Sequence, residues 1–285
     1  MPNGRNLLGH YSSTQSALIV PFPHHPQQYY LFAIDAIPQH SASPFDLTYS
    51  VVNMSLDGGL GDVETSIKNI SLMPSAAEKL TAVPHANGQD LWVISHGADN
   101  DEFYVFLLSE AGVSGPDTYR TGIDYGGVDR GVAGYLKASP NGKKLANALW
   151  SDTAVVELFD FDAATGTISN ANTLSLAPLN LDLYSEGRNV YGISFSPDNT
   201  KLYVSGYSIT QFDLSLPTTQ EIVDSQEEVT AYEPFSYSLV KSLQLGPDGR
   251  LYNNASANSF YVINGIAMFY WRLFRQPQLG CITGF

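Results

Sequence analysis

The 285-residue sequence predicts an all-β protein, a β-propeller of four-stranded blades with about five blades present. Three observations carry this expectation. One turn-centred segment recurs along the chain. Short strand-like runs fill the space between turns, with no long 3.6-residue apolar period. The inner runs are apolar on both faces.

The recurring segment is clearest in "ISFSPDNTKLYVSG", residues 193–206. Pro197 presets φ for the second position of a type I turn, while Asp198 and Asn199 bond their own backbone and Asn tolerates a left-handed conformation. The flanking Ile193, Phe195, Leu202, Tyr203 and Val204 are strand formers, so the stretch reads as a hairpin with a polar tip. Related stretches centre on Pro26, Pro84, Pro140 and Pro247. Their spacing of about 50–58 residues is that of a repeat architecture.

Taken in order, the first repeat places strands at 17–20, 29–34, 47–54 and 67–72. The second places them at 79–83, 91–95 and 103–108, with a fourth near Tyr119. The third gives 135–138, 145–150, 155–161 and 167–176, and the fourth 191–195, 202–205 and 209–214. "DGGLGD" (57–62) and "DAATG" (162–166) fill the same slot after a third strand. "ALIV" and "LWVIS" are apolar throughout, as expected of a sheet covered on both sides. A lone unit cannot bury two faces, so its neighbours must. The propeller is assigned to residues 1–265. Residues 266–285 form an atypical tail: from Gly249 onward there is no Asp or Glu, although the chain has 28, and "IAMFYWRLFRQPQLGCITGF" is aromatic and cationic with no repeat pattern. A docked tail, an interfacial segment and a shifted reading frame all fit. The last is favoured, because the composition breaks abruptly inside a blade.

With a net charge of −14 and only 14 Lys plus Arg, no basic stripe can be assembled, which argues against nucleic acid or anionic membrane as the main partner. Cys281 is the only cysteine, leaving no internal disulfide and no cysteine-based zinc site. No apolar run approaches the ~20 residues of a membrane span. The opening "MPNGRNLLGHYSS" lacks the layout of a signal peptide.

"SPNGKKL", "SPDNTKLYV" and "GPDGRLY" resemble the WD-like propeller repeat of bacterial proteins. Over about residues 2–263, "SSTQSALIVP", "YSVVNMSLDGGLGDV", "EKLTAVPHANGQDLWVISH", "GYLKASPNGKKLA" and "VELFDFDAATGTISN" resemble the N-terminal propeller of large secreted Bacteroidetes proteins of the gliding-motility-associated, type IX secretion cargo class. The resemblance implies a secreted or cell-surface location, and a chain that is a fragment lacking both the signal peptide and the C-terminal sorting domain. It supplies no catalytic residues. Unclosed first and last sheets of such a fragment would expose edges that favour self-association.

In a propeller the a–b and c–d turns share one face, so the proline hairpins read as structural. The b–c and d–a loops lie on the other face, around the axis, where ligands usually bind. There the sequence offers Asp129 and Arg130 in "DYGGVDRGVAG", Glu186 and Arg188 in "YSEGRNVYG", His96, and Asp152. Arginine beside a carboxylate clamps a carboxylate or a sugar; the alternative is a rim ion pair of little energetic worth. The six histidines show no paired spacing for zinc. "GISFS" lacks the helix a nucleophile elbow needs. "ADNDE" lacks the ligand spacing of a calcium loop. With no nucleophile, base or metal constellation and no cofactor motif, the first expectation is a non-catalytic module for binding or adhesion, linked to gliding motility, with an unidentified protein or glycan ligand. The alternative is a lactonase-like propeller hydrolase with an axial metal or an Arg/carboxylate site.

Overall fold

The structure, a computed structural model, describes residues 1–36, 46–126, 131–150, 154–176, 190–206, 208–229, 242–256, 259–264 and 267–272, with side chains up to Asn253. The first sheet holds β1 (Ala17–Pro21), β2 (Gln28–Ile34), β3 (Leu47–Asn53), β4 (Asp62–Val63) and β5 (Ile70–Met73), the last two both paired with β3. The second is β6 (Ala76–Pro84), β7 (Leu91–Gly97), β8 (Glu102–Ser109) and β9 (Gly112–Arg120). The third is β10 (Leu136–Ala138), β11 (Lys144–Leu149), β12 (Val155–Asp162) and β13 (Thr167–Ser175). The fourth is β14 (Ile193–Phe195), β15 (Lys201–Ser205), β16 (Ile209–Asp213) and β17 (Glu227–Glu228). The fifth is β18 (Ser242–Leu245), β19 (Leu251–Ser256), β20 (Ser259–Asn264) and β21 (Ala267–Arg272). Every pairing is antiparallel between successive strands, apart from the β3–β5 return. The fifth sheet thus takes its outer strand from beyond residue 265.

The first strand of each sheet meets the next: β1 and β2 lie against β6, β6 against β10, β10 against β14, and β14 against β18. The cores lie between sheets rather than within one. Val20, Phe32 and Val51 of the first sheet pack on Leu80, Val93 and Phe106 of the second. Ile94, Phe103 and Val105 pack on Leu136, Leu145 and Phe159. Ala146, Val156 and Leu158 pack on Ile193, Leu202 and Phe212. Tyr203 and Ile209 meet Leu243 and Leu251. This is why the inner strands are apolar on both faces. Each buried aliphatic or aromatic side chain contributes roughly 1.5–3 kcal/mol, and that gain needs the neighbouring blade.

The hairpins form as their turn chemistry dictates. Gly142 N donates to Ser139 O (2.8 Å), Asn199 N to Ser196 O (3.0 Å) and Gly249 N to Gly246 O (3.0 Å). Asn199 takes φ +66°, as anticipated. Ser139 and Ser196 Oγ accept from the N–H groups of Lys144 and Lys201 five residues on, a repeated local staple. The first two hairpins turn differently. Pro84 is the last residue of β6, paired with Leu91, and the turn belongs to His85–Gly88. In the first sheet two turns follow one another, Phe22–His25 with Pro23 and His25–Gln28 with Pro26 in their second positions. The sequence announced neither β17, β20 and β21 nor α1 (Thr219–Asp224), which is opened by a Thr218/Glu221 capping box and packed on the outer strand β13.

Gly142 tests the hairpin account. Its φ is +67°, and a Cβ there would lie 2.9 Å from Val83 Cγ1 of the second sheet. Gly142→Ala is expected to destabilise the fold by about 1–2 kcal/mol in urea denaturation, from backbone strain and the inter-blade clash together.

Candidate functional site

Among the described residues, the polar side chains converge where the inner strands face one another. The segment before β1 crosses this region. Gln15 meets the strand-free edges of β6 and β10 with one side-chain amide. Its Nε2 donates to Leu80 O (2.8 Å) and Leu136 O (3.0 Å), and its Oε1 accepts from Leu80 N (3.0 Å) and Leu136 N (2.8 Å). An amide has two donors and two acceptor lone pairs, so the side chain is fully used. Thr14, one residue earlier, donates from N and from Oγ1 to Glu78 Oε2, each at 2.7 Å, while its Oγ1 accepts from Gly134 N (3.3 Å).

Glu78 and Lys79 owe their placement to a bulge in β6. The register slips between Ala76↔Gly97 and Leu80↔Ser95, so the bulged strand has extra residues over that stretch. Glu78 turns toward Thr14. Lys79, 0% exposed, enters the space between the second and third sheets and donates to Ala133 O (3.1 Å), Gly134 O (3.2 Å) and Ala148 O (2.6 Å). Three acceptors match the three N–H donors of an ammonium. Burial pulls the Lys79 amine down to about 7, and the Glu157 and then the Glu78 carboxylate pull it back up.

Around Lys79 lies a polar interior. Glu157 on β12 accepts from Ile123 N (2.7 Å) and from Asn147 Nδ2 (3.1 Å). Burial pushes its carboxyl up to about 7, against those two hydrogen bonds and the Lys79 charge. Asn147 Nδ2 also donates to Tyr125 Oη (2.7 Å). His96, at the end of β7, stacks on Tyr125 at 4.2 Å and meets Phe103 edge-on at 4.5 Å. Its Nδ1 lies 2.7 Å from Gly97 O, and burial holds the imidazole down to about 3, so the ring is neutral with Nδ1–H donating.

Aromatic rings line the accessible side. Tyr191, before β14, lies 5.8 Å from Tyr135 and 5.9 Å from Trp150, which is 38% exposed. Burial raises Tyr135 to about 12 and also raises Tyr191, whose hydrogen bond with Thr14 opposes the rise. Lys137 on β10 sits 5.1 Å over the Tyr135 ring and donates to Gln244 Oε1 of the fifth sheet (3.2 Å). Burial lowers its amine. The buried Glu78 carboxylate, the fully bonded Gln15 amide, the Lys137 ammonium and the Tyr135–Tyr191–Trp150 rings thus lie along the same inner-strand region.

Of the residues the sequence nominated, His96 lies inside the interior cluster, 0% exposed. Asp129, Arg130, Asp152, Glu186 and Arg188 lie outside the described residues. The sequence reading missed Thr14, Gln15, Glu78, Lys79, Tyr135 and Lys137. A signal was present in "AAEKLTAV": two adjacent charges opening an inner strand are incompatible with a regular buried ladder, and so announce a bulge. Among the described residues no group of three or more His, Cys, Asp or Glu side chains gathers to hold a metal ion, and no helix is long and apolar enough to cross a membrane.

No protein-family model matches the chain, and no curated protein does. Among solved structures, the Pseudomonas aeruginosa periplasmic gluconolactonase is similar over 92% of this chain and 72% of its own, at 11% identity and a TM-score of 0.51. The Kuenenia stuttgartiensis hydrazine synthase is similar over 86% of this chain and 71% of its own, at 15% identity and a TM-score of 0.47. The gluconolactonase likeness shows the propeller fold. It also corrects the expectation of a non-catalytic module. This architecture serves an enzyme, and the absence of a sequence motif for catalysis gives no ground for setting activity aside.

Two outcomes follow from the site's construction. Gln15→Ala leaves four backbone groups without partners and is expected to cost about 3 kcal/mol in urea denaturation. For Glu157, a folded-state pKa raised from 4.5 to about 7 means that the folded protein binds more protons than the unfolded chain between those values. Its contribution to stability is full below pH 4.5 and is lost as pH rises toward 7, on the order of 3 kcal/mol. Glu157→Gln should flatten that decline relative to wild type when unfolding free energies are compared at pH 4.5 and 7.

Proposed function

We propose that the protein is a lactonase-type propeller hydrolase acting on polyhydroxylated lactones at the inner-strand site. The observation that carries this reading is Glu78. It is a carboxylate only 3% exposed, held by two bonds from Thr14 and close enough to Tyr191 of the Tyr135–Tyr191–Trp150 aromatic group to act on its charge. In this reading Glu78 is the general base that takes a proton from the attacking water. Lys137 and the Tyr191 hydroxyl donate to the oxygen that gains charge as the lactone carbonyl becomes tetrahedral. The ring face of the substrate lies on the aromatic group, whose π-faces favour the C–H side of a sugar ring. The gluconolactonase with the same architecture supports the reaction class. The resemblance of the long segments to secreted Bacteroidetes proteins supports a location outside the cytoplasm, which fractionation of the source cells would test.

Hydrolysis of aldonolactones by the purified protein, followed by pH-stat titration, checks the activity. Wild-type turnover is expected, with kcat lowered about 10²–10⁴-fold in Glu78→Gln. An absence of turnover across five- and six-membered aldonolactones, or an unaltered rate in Glu78→Gln, rules the reading out.

A further inference from the structure

We propose that Lys79 is a positioning residue for the Glu78 carboxylate, acting through the 132–134 backbone and Thr14. The two side chains are neighbours in sequence but take different partners across the bulge in β6, Glu78 the Thr14 donors and Lys79 three backbone carbonyls. They are reconnected through a chain of hydrogen bonds. Lys79 Nζ donates to Gly134 O, to Ala148 O on β11, and to Ala133 O, which also accepts from Trp150 N (3.3 Å). The peptide fixed in this way presents Gly134 N–H to Thr14 Oγ1, and Thr14 donates twice to Glu78 Oε2. Glu78 closes the loop by donating its own N–H to Val132 O (2.9 Å). Gly134 has φ +102°, and a Cβ there would lie 2.5 Å from Ala148 O, so the peptide is pressed against β11 where the ammonium can bridge both.

A surface ion pair would achieve none of this. An ammonium buried away from water is costly unless every donor is used, and a carbonyl left without its donor in the same place is costly too. The arrangement therefore has one satisfied state, and that state fixes where Thr14 and Glu78 sit. Four groups face Lys79 or its cavity: Glu78 on its own strand, His96 on β7, Tyr125 after β9 and Glu157 on β12. Of these, the two carboxylates and the Tyr125 ring face, 5.6 Å from Nζ, favour the charged amine, and His96 does not.

The role of Lys79 in activity rests on the hydrolase reading, but its coupling to Glu78 does not, and the test separates them. Backbone amide exchange is measured by NMR in wild type, Lys79→Met and Lys79→Gln; the glutamine keeps two N–H donors. The Thr14 and Gly134 amides are expected to exchange at least tenfold faster in Lys79→Met and by less in Lys79→Gln, with β15 amides unchanged. For aldonolactones that wild type hydrolyses, kcat should fall at least tenfold with KM within about twofold. Wild-type exchange at Thr14 and Gly134 in a folded Lys79→Met protein overturns the proposal, whether or not any lactone is hydrolysed. Should neither variant fold, protein with native Lys79 serves. Burial lowers the Lys79 amine, so raising the pH from 6 to 9 in a Glu157→Gln background, where that carboxyl no longer titrates, should move the Thr14 amide resonance with the Lys79 Nζ midpoint. Unrelated midpoints overturn it equally.

Discussion

The inner edges of β6 and β10 have no strand to pair with, and a single glutamine side chain takes the place of one. The first strands of successive blades face one another, and direct backbone bonds join their inner segments only locally, as from Glu78 N to Val132 O and from Tyr135 N to Tyr191 O. Unpaired N–H and C=O groups there must reach water or find another partner. Gln15 supplies two donors and two acceptors at one spot, and so joins the second and third sheets through four bonds of 2.8–3.0 Å. The same crossing delivers Thr14 to Glu78. The contact that closes the centre of the fold is thus one residue from the contact that orients the candidate base.

The interior behind this crossing carries charge that a purely structural core would omit. Lys79 and Glu157 are both fully or nearly fully buried, and burial pushes each toward its neutral form. Their retention is bearable because each finds several hydrogen-bond partners, three carbonyls for the ammonium and two donors for the carboxylate. Apolar replacements would pack such a space at lower cost. A charged interior directly behind a polar inner surface is the pattern of a site whose geometry is held by its supporting groups.

Most of the fold was legible because blade repeats leave local marks. Proline–Asx–Gly or Asn turns, doubly apolar inner strands and the "DAATG" slot placed the strands of the second to fourth blades, β17 excepted, within a few residues of their observed bounds. The proline at 84 misled because a turn needs only a residue that accepts its φ, a need met there by Ala86, whereas Pro26 does take the second position of its turn. The site was much less legible. Gln15 and Thr14 act from a segment with no strand signal, on partners more than 60 residues away. Tyr135 and Lys137 resemble ordinary strand residues until the blades are arranged around a centre. Only "EK" at 78–79 broke a local rule, and the bulge explains it.

The central claim, that the Gln15 side chain stands in for a strand at the inner edges, is tested most directly by hydrogen exchange in the unaltered protein. The Leu80 and Leu136 amides, which face no strand on that side, should be protected to the same order as ladder amides within β7 and β11. Exchange of these two amides near the rate of an open peptide, with the ladders protected, would contradict it.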